Sequence, residues 1–108
     1  MTAPLVLMLS AAHPPDDVRV VRKEGAALAA AGWRVRHLCP GPADAHPAVA
    51  GVAIETFARR RGWSGRLLGI PALARRAAAS GAAVLHGSEP DAWAAALLAA
   101  RRSGARVV

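Results

Sequence analysis

Apolar and polar positions follow two different periodicities along this chain. Short apolar runs typical of buried strands recur between longer alanine-rich stretches, in which apolar residues return every three or four positions. The runs predict five strands, at residues 5–10, 34–39, 52–57, 83–86 and 106–108. The alanine-rich stretches predict three helices, at residues 18–31, at residues 67–80 with an interruption at Pro71, and at residues 90–102.

Residues 5–35 and 83–107 share one plan. Each begins with an apolar strand and a polar loop, continues with an alanine-rich helix and a glycine, and ends in a strand that contains Arg-Val. This is the pattern of a β-α-β unit, in which a helix connects two parallel strands. Two such units predict an α/β fold, a Rossmann-like doubly wound parallel sheet of about five strands in the order 3-2-1-4-5, flanked by helices. Ligands bind such sheets beyond the carboxyl ends of the strands where the order reverses, here between the first and fourth strands.

The two loops that meet at this point have the sequences AAHPPDD and HGSEPD. His13 precedes two prolines that stiffen the loop, and a histidine at this place has no evident packing role, so we expect it to contact a ligand. Asp17 fits two roles, as the N-cap of the first helix or as a ligand contact. Ser88 also fits two roles. It could contact a ligand, or it could cap the last helix together with Asp91 at the third helical position.

The large positive charge of the chain does not by itself predict a nucleic-acid-binding protein. The net charge is +7, and every basic residue except Lys23 is an arginine. Most arginines are scattered and do not alternate with aromatic residues, so no platform for stacking nucleic-acid bases is predicted. The dense cluster RRRGWSGR, residues 59–66, is read first as an exposed basic loop. The alternative is that Arg59, Arg60 and Arg61 beside Trp63 contact an anionic membrane or an acidic partner.

The remaining composition predicts a single small domain, residues 1–108. No apolar tract reaches the about 20 residues of a transmembrane helix, and no signal peptide is evident, so a cytoplasmic location is expected. Cys39 is the sole cysteine and ends an apolar strand, which predicts an inert buried thiol. Trp93 is expected in the core, and Glu24 is expected to pair with a neighbouring arginine.

Several enzyme classes lack their motifs in this sequence. Glycine-rich dinucleotide loops, phosphate-binding P-loops and the Gly-x-Ser-x-Gly elbow of hydrolases are all missing. The histidines, His13, His37, His46 and His86, lack the spacing of a metal site. Residue patterns alone therefore predict a ligand-binding α/β domain without naming its chemistry.

A family resemblance carries the interpretation further. The segment HPPDDVRVVRKEGAALAAAGWRV is similar to the opening of retaining GT-B glycosyltransferases of the family 4 type, which often have His-x-Pro-x-Asp-x-Arg, then a Lys-Glu-Ala helix and Gly-aromatic-x-Val. The matching positions are His13, Pro15, Asp17, Arg19, Lys23, Glu24, Gly32, Trp33 and Val35. The segment HGSEPD resembles the family's His-x-His-[Asp/Glu]-Pro-[Asp/Asn], with matches at His86, Glu89, Pro90 and Asp91.

This resemblance implies that the chain is the N-terminal, acceptor-side half of a two-domain GT-B enzyme. Such an enzyme transfers a sugar from a nucleotide-sugar donor to a hydroxyl-bearing acceptor, including lipid-linked ones, without depending on a metal. The donor would bind in a C-terminal domain, so this half would bind no cofactor and would be inactive alone. A chain that stops inside an apolar strand at Val108 is then expected to be truncated from a longer protein. The acceptor-binding residues implied are His13, Asp17, Arg19, Lys23, His86, Ser88 and Glu89.

Ser88 departs from the family pattern, because it stands where the family has its second histidine. A serine can donate a hydrogen bond to a sugar, but it cannot carry a positive charge beside a departing anion. The catalytic residue therefore stays open among His13, His86 and Ser88. The alternative function is a non-catalytic module that binds an acidic partner, or the inner face of an anionic membrane, through its arginine-rich loop.

Overall fold

A computed structural model describes residues 3–11, 23–41, 51–58 and 62–108, without the side chain of Arg66. Its strands are β1 (Leu5–Leu9), β2 (Arg34–Pro40), β3 (Ala53–Phe57), β4 (Val84–Gly87) and β5 (Arg106–Val107). Its helices are α1 (Ala26–Ala30), α2 (Gly62–Ala79) and α3 (Pro90–Ser103). The predicted and observed strands agree within one residue at each end.

The five strands form one parallel sheet in the order β3-β2-β1-β4-β5. The α/β class and the predicted strand order are therefore confirmed. β1 pairs with β2 on one side and with β4 on the other, so the order reverses between β1 and β4. The carboxyl ends of these two strands are the place where a doubly wound sheet opens a crevice.

β1 lies at the centre of two apolar layers, and all five of its residues are buried. Alternate side chains of a strand point to opposite faces of the sheet. Leu5, Leu7 and Leu9 belong to the larger layer, which contains buried residues of α2 and α3. Val6 and Met8 belong to the smaller layer, which contains Val35, Val52 and part of α1.

The buried face of α3 consists of alanines. The four that are closed to solvent are Ala92, Ala95, Ala96 and Ala99. Side chains this small allow the helix axis to approach the sheet closely, so the alanine-rich composition reflects the space between the layers.

The expected interruption at Pro71 is wrong, because α2 is continuous from Gly62 to Ala79 with Pro71 inside it. Pro71 is exposed, so solvent can satisfy the carbonyl oxygen that its missing N–H leaves without a helical bond. α2 also begins earlier than predicted, so the segment read as a basic loop is helical from Gly62 onward.

α1 is described only in part, since residues 18–22 of the predicted helix lie outside the described residues. The helix ends before Gly32, as predicted from that glycine. The Gly32 N–H donates to the carbonyl of Ala29, the Trp33 N–H donates to that of Leu28, and φ of Gly32 is 100°. These two bonds and the left-handed glycine form a Schellman motif, which directs the chain into β2.

Candidate functional site

Two serines continue the strands at the crevice. Ser10 follows β1, and its N–H donates to the carbonyl of Leu38 at 2.9 Å. Ser88 follows β4, and its N–H donates to the carbonyl of Leu9 at 3.0 Å. Both serines therefore extend the parallel hydrogen-bonding pattern, so their backbones are held by the sheet rather than by a loose loop.

Two histidines lie on either side of β1, in register with the residue two positions before Ser10. Met8 pairs in register with His37 of β2 and with His86 of β4. In parallel strands, residues in register point to the same face, and residues two further along point there again. The polar groups that meet at this edge form what we call the rim cluster: Glu24, Ser10, His37, His86, Ser88 and Glu89.

Ser10 links the two neighbouring strands through its hydroxyl. Its Oγ lies 2.8 Å from Nε2 of His37 and donates to Oγ of Ser88 at 3.3 Å. Ser10 and His37 are fully buried, whereas Ser88 is half-buried. Buried polar groups are kept only where hydrogen bonds satisfy them, so these contacts define one arrangement of the edge.

Glu89 ties the loop after β1 to the start of α3, because its Oε1 accepts a hydrogen bond from the N–H of Ala11. The expectation that Ser88 caps α3 with Asp91 at the third helical position is wrong. The Trp93 N–H donates to the carbonyl of Glu89 at 2.8 Å, and this first helical bond makes Glu89 the N-cap. Pro90 then occupies the first helical position and Asp91 the second. The Ser88 hydroxyl contacts Ser10 instead of capping the helix.

His86 pairs with an acid from the first β-α-β unit. Its Nε2 lies 3.4 Å from Oε2 of Glu24, in the turn that precedes α1. The arginines nearest to Glu24 in sequence, Arg19 and Arg22, lie outside the described residues, so the expected pairing of Glu24 with an arginine stays a prediction beside this contact with β4. The neighbouring Lys23 is exposed.

Trp93 is not a core residue, which corrects the expectation, because 50% of it is exposed. Its backbone lies against Gly87, where an added Cβ would be 2.5 Å from the Trp93 Cα and 2.6 Å from its nitrogen. The close approach of α3 to the end of β4 therefore requires a glycine at this position.

The single thiol takes no part in the site. Cys39 is fully buried in β2, and burial raises its pKa to about 12. A thiol with this pKa stays protonated near neutral pH and is a poor nucleophile. The prediction of an inert buried thiol is confirmed.

Several predicted site residues lie outside the described residues. They are His13, Asp17, Arg19, Arg59, Arg60 and Arg61. The expectation that His13 and His86 face one crevice therefore stays a prediction. Trp63 is described, and 76% of it is exposed at the start of α2.

Sequence reasoning missed the pairing of Ser10 with His37. The spacing of the histidines tests only for a metal site, and within the described part of the chain no group of His, Cys, Asp and Glu residues is placed to hold a metal. A signal was present, since alternation puts His37 on the same face as Val35 and Cys39, both buried. A histidine on a buried strand face needs a polar partner, and Ser10 is polar at the end of the adjacent strand.

A hollow also lies at the opposite, amino edge of the sheet. Its volume is about 560 Å³, and Pro4, Trp33, Ala83, Gly104 and Arg106 are among the residues that line it. These residues precede or begin β1, β2, β4 and β5, so the hollow lies away from the rim cluster. In α/β sheets the carboxyl edge is the usual ligand site, which favours the rim cluster as the functional site.

Among the described helices, none is both long enough and apolar enough to span a bilayer.

The comparison with known protein families gives a match over most of the chain. Residues 18–108 match the model of the family described as Glycosyltransferase Family 4. The match begins within the predicted first helix and contains β2, β3, β4 and β5 with the described helices. No curated protein and no solved structure matches the chain.

Proposed function

Because this chain belongs to glycosyltransferase family 4, we propose that it is the acceptor-binding half of an enzyme that transfers a sugar to a hydroxyl group. Membership of the family supports the role in sugar transfer, and the sheet is consistent with one half of a GT-B fold. The observation that carries the acceptor-binding role is the rim cluster, which collects hydroxyl, imidazole and carboxylate groups where the strand order reverses.

The rim cluster suits a hydroxylated ligand. Ser88 and His86 are half-buried at the edge, and each can donate or accept a hydrogen bond. His86 is held by Glu24, and Ser88 is held by Ser10, so both side chains are oriented before a ligand arrives. Orienting one reactant in this way lowers the entropic cost of transfer, which is the contribution we assign to this half.

The donor belongs elsewhere in this proposal. We place the nucleotide sugar, and the groups that stabilise its departing diphosphate, in a C-terminal domain that follows residues 1–108 in the natural protein. The present domain would then bind and position the acceptor and help exclude water, and it would not transfer sugar alone. His13, Asp17, Arg19 and Lys23 are further acceptor contacts proposed from the family pattern.

The experiment is an assay of sugar transfer by the natural protein with a panel of UDP- and GDP-hexoses. We expect Ser88→Ala to lower kcat/KM for the acceptor about tenfold, as the loss of one ligand hydrogen bond does. Arg106→Ala, at the amino edge, is the control and should leave kcat/KM unchanged. Transfer that is insensitive to Ser88→Ala, or absent with every donor, contradicts the proposal.

A second candidate function is contact with the inner face of an anionic membrane. Trp63 and Leu67 lie one turn apart near the start of α2, with 76% and 65% of their surfaces exposed. Arg59, Arg60 and Arg61 directly precede α2 in sequence. Tryptophan and leucine beside arginine are the composition of helices that lie in the membrane interface. Such contact would bring the rim cluster to a lipid-linked acceptor.

A further inference from the structure

A chain of hydrogen bonds runs from the closed interior of the sheet to its edge. His37 and Ser10 are both fully buried, and 2.8 Å separates His37 Nε2 from Ser10 Oγ. Ser10 in turn donates to Oγ of the half-buried Ser88 at 3.3 Å. The three side chains come from three adjacent strands, since His37 lies within β2, Ser10 directly follows β1 and Ser88 directly follows β4.

The number of hydroxyl and imidazole protons limits the directions in which these hydrogen bonds can run. Ser10 has one hydroxyl proton, so it can donate to Ser88 or to His37 but not to both. When Ser10 donates to Ser88, the contact between Ser10 and His37 is a bond that Nε2–H of His37 donates and Ser10 Oγ accepts. In the reverse arrangement His37 carries its proton on Nδ1, and Ser88 donates inward to Ser10. The two arrangements differ in the direction of the Ser88 proton.

We infer that His37 is a positioning residue, which holds its proton on Nε2 and, through Ser10, leaves the Ser88 hydroxyl to donate outward into the crevice. The ligand atom that accepts this bond is a hydroxyl oxygen of the sugar acceptor, and this identification rests on the proposed function. The direction of the hydrogen bonds does not depend on that function.

The backbone at Ser10 and Ser88 is fixed, so the histidine can act on the orientation of the hydroxyl groups. The N–H groups of Ser10 and Ser88 are bound to strand carbonyls at 2.9 and 3.0 Å. With the backbones fixed, the main freedom left at these positions is the rotation of the hydroxyl groups. A buried imidazole that supplies a donor fixes this rotation, which turns Ser88 into a donor of known direction at the edge.

The tautomer of His37 tests the inference without any ligand. Nitrogen-15 NMR of the histidine rings in this chain should show His37 protonated on Nε2. Ser10→Ala should change the ring signals of His37, because it removes the hydroxyl that accepts the Nε2–H bond. His86, which faces Glu24, serves as the internal reference. A His37 ring protonated only on Nδ1 overturns the inference.

A pair of substitutions separates positioning from packing. In His37→Gln the amide nitrogen can reproduce the donor of Nε2, whereas His37→Leu fills the space without a donor. We expect His37→Leu to raise the acceptor KM of the natural protein five- to tenfold, and His37→Gln to restore most of the loss. A packing role predicts the reverse, because leucine suits a buried site better than glutamine, and that result overturns the inference.

The two proposals fail in different ways. Should the natural protein transfer no sugar while His37 carries its proton on Nε2, the proposed function fails and the hydrogen-bond direction stands. Should transfer occur with His37 protonated on Nδ1, the proposed function stands and the positioning role fails.

Discussion

His86 Nε2 lies 3.4 Å from Oε2 of Glu24, and this contact joins the two β-α-β units on one face of the sheet. His86 belongs to β4, in the second unit, and Glu24 precedes α1, in the first. A polar contact across the reversal of strand order positions both units around the same crevice. The contact is partly exposed, so its value for stability is small, and its main effect is on the orientation of the imidazole.

Replacing Glu24 tests this separation of roles. Glu24→Gln should change the free energy of unfolding by less than about 1 kcal/mol, because a partly exposed contact between polar side chains contributes little. The same substitution should lower kcat/KM for the acceptor, because an amide oxygen orients His86 less strongly than the carboxylate does. Urea unfolding and the transfer assay on the natural protein measure the two effects.

A matched control exists at the far side of the sheet. Glu55 lies 3.5 Å from Arg76 with similar exposure, and it is away from the rim cluster. Glu55→Gln should match Glu24→Gln in stability and leave transfer unchanged. An equal loss of transfer in both variants would show that the rim contact has no special role.

Gly87 should tolerate no side chain. The Cβ of Gly87→Ala would lie 2.5 Å from the Cα of Trp93, and backbone on both sides has little room to move. We expect a loss of about 1–3 kcal/mol, the usual cost of overpacking. Gly69→Ala in α2 is the control, since no atom lies within 4 Å of its added Cβ, and alanine should stabilise a helix interior by about 0.5–1 kcal/mol. Thermal unfolding of both variants measures the opposite signs.

Cys39 should be protected from alkylation by the folded structure. Burial raises its pKa from 9.0 to about 12, so at pH 8 the folded protein has about a thousandfold less thiolate than the unfolded chain. Iodoacetamide should therefore modify the protein quickly in urea and very slowly in buffer, as mass spectrometry would measure. Equal rates under both conditions would contradict the burial of this thiol.

The same shift gives a dependence of stability on pH. Below pH 9 the thiol is protonated in both states, so its burial adds no dependence. Between pH 9 and 12 the unfolded chain releases the proton while the folded chain keeps it, so stability falls as the pH rises. Cys39→Ala should remove this part of the decline between pH 9 and 10.5.

Trp63 should matter for membrane contact and little for folding. Because 76% of it is exposed, Trp63→Ala should change stability by no more than about 0.5 kcal/mol. It should weaken binding to phosphatidylglycerol vesicles, and binding by the unaltered protein should decrease as salt rises. Trp33→Ala, at the amino edge, is the control and should bind as before. Sedimentation that shows no preference for anionic over neutral vesicles would end the membrane candidate.

The sheet could be predicted because its signal is local and repeated. The runs around Leu7, Leu38 and Leu85 are apolar, and the two β-α-β segments resemble each other, so strand order follows from the rules of parallel connections. The continuity of α2 could not be predicted, because an exposed Pro71 is tolerated where a buried one is not.

The rim cluster was predictable only in part. His86 and Ser88 were found because they lie in a loop after a strand, where ligand contacts are expected. The bond between Ser10 and His37 joins residues 27 positions apart, so the apolar neighbours of His37 in sequence indicate that it needs a polar partner but not which residue supplies it. The N-cap was misplaced for a similar reason, since the partner that occupies the Ser88 hydroxyl is 78 residues away.

The central claim is that the acceptor binds at the carboxyl edge between β1 and β4. The most direct measurement is the change in backbone amide NMR shifts when the acceptor identified by the transfer assay is added to the natural protein. The account predicts that the largest shifts are at Ser10, Gly87 and Ser88. Largest shifts at Ala83, Gly104 and Ala105, around the hollow at the amino edge, would contradict it.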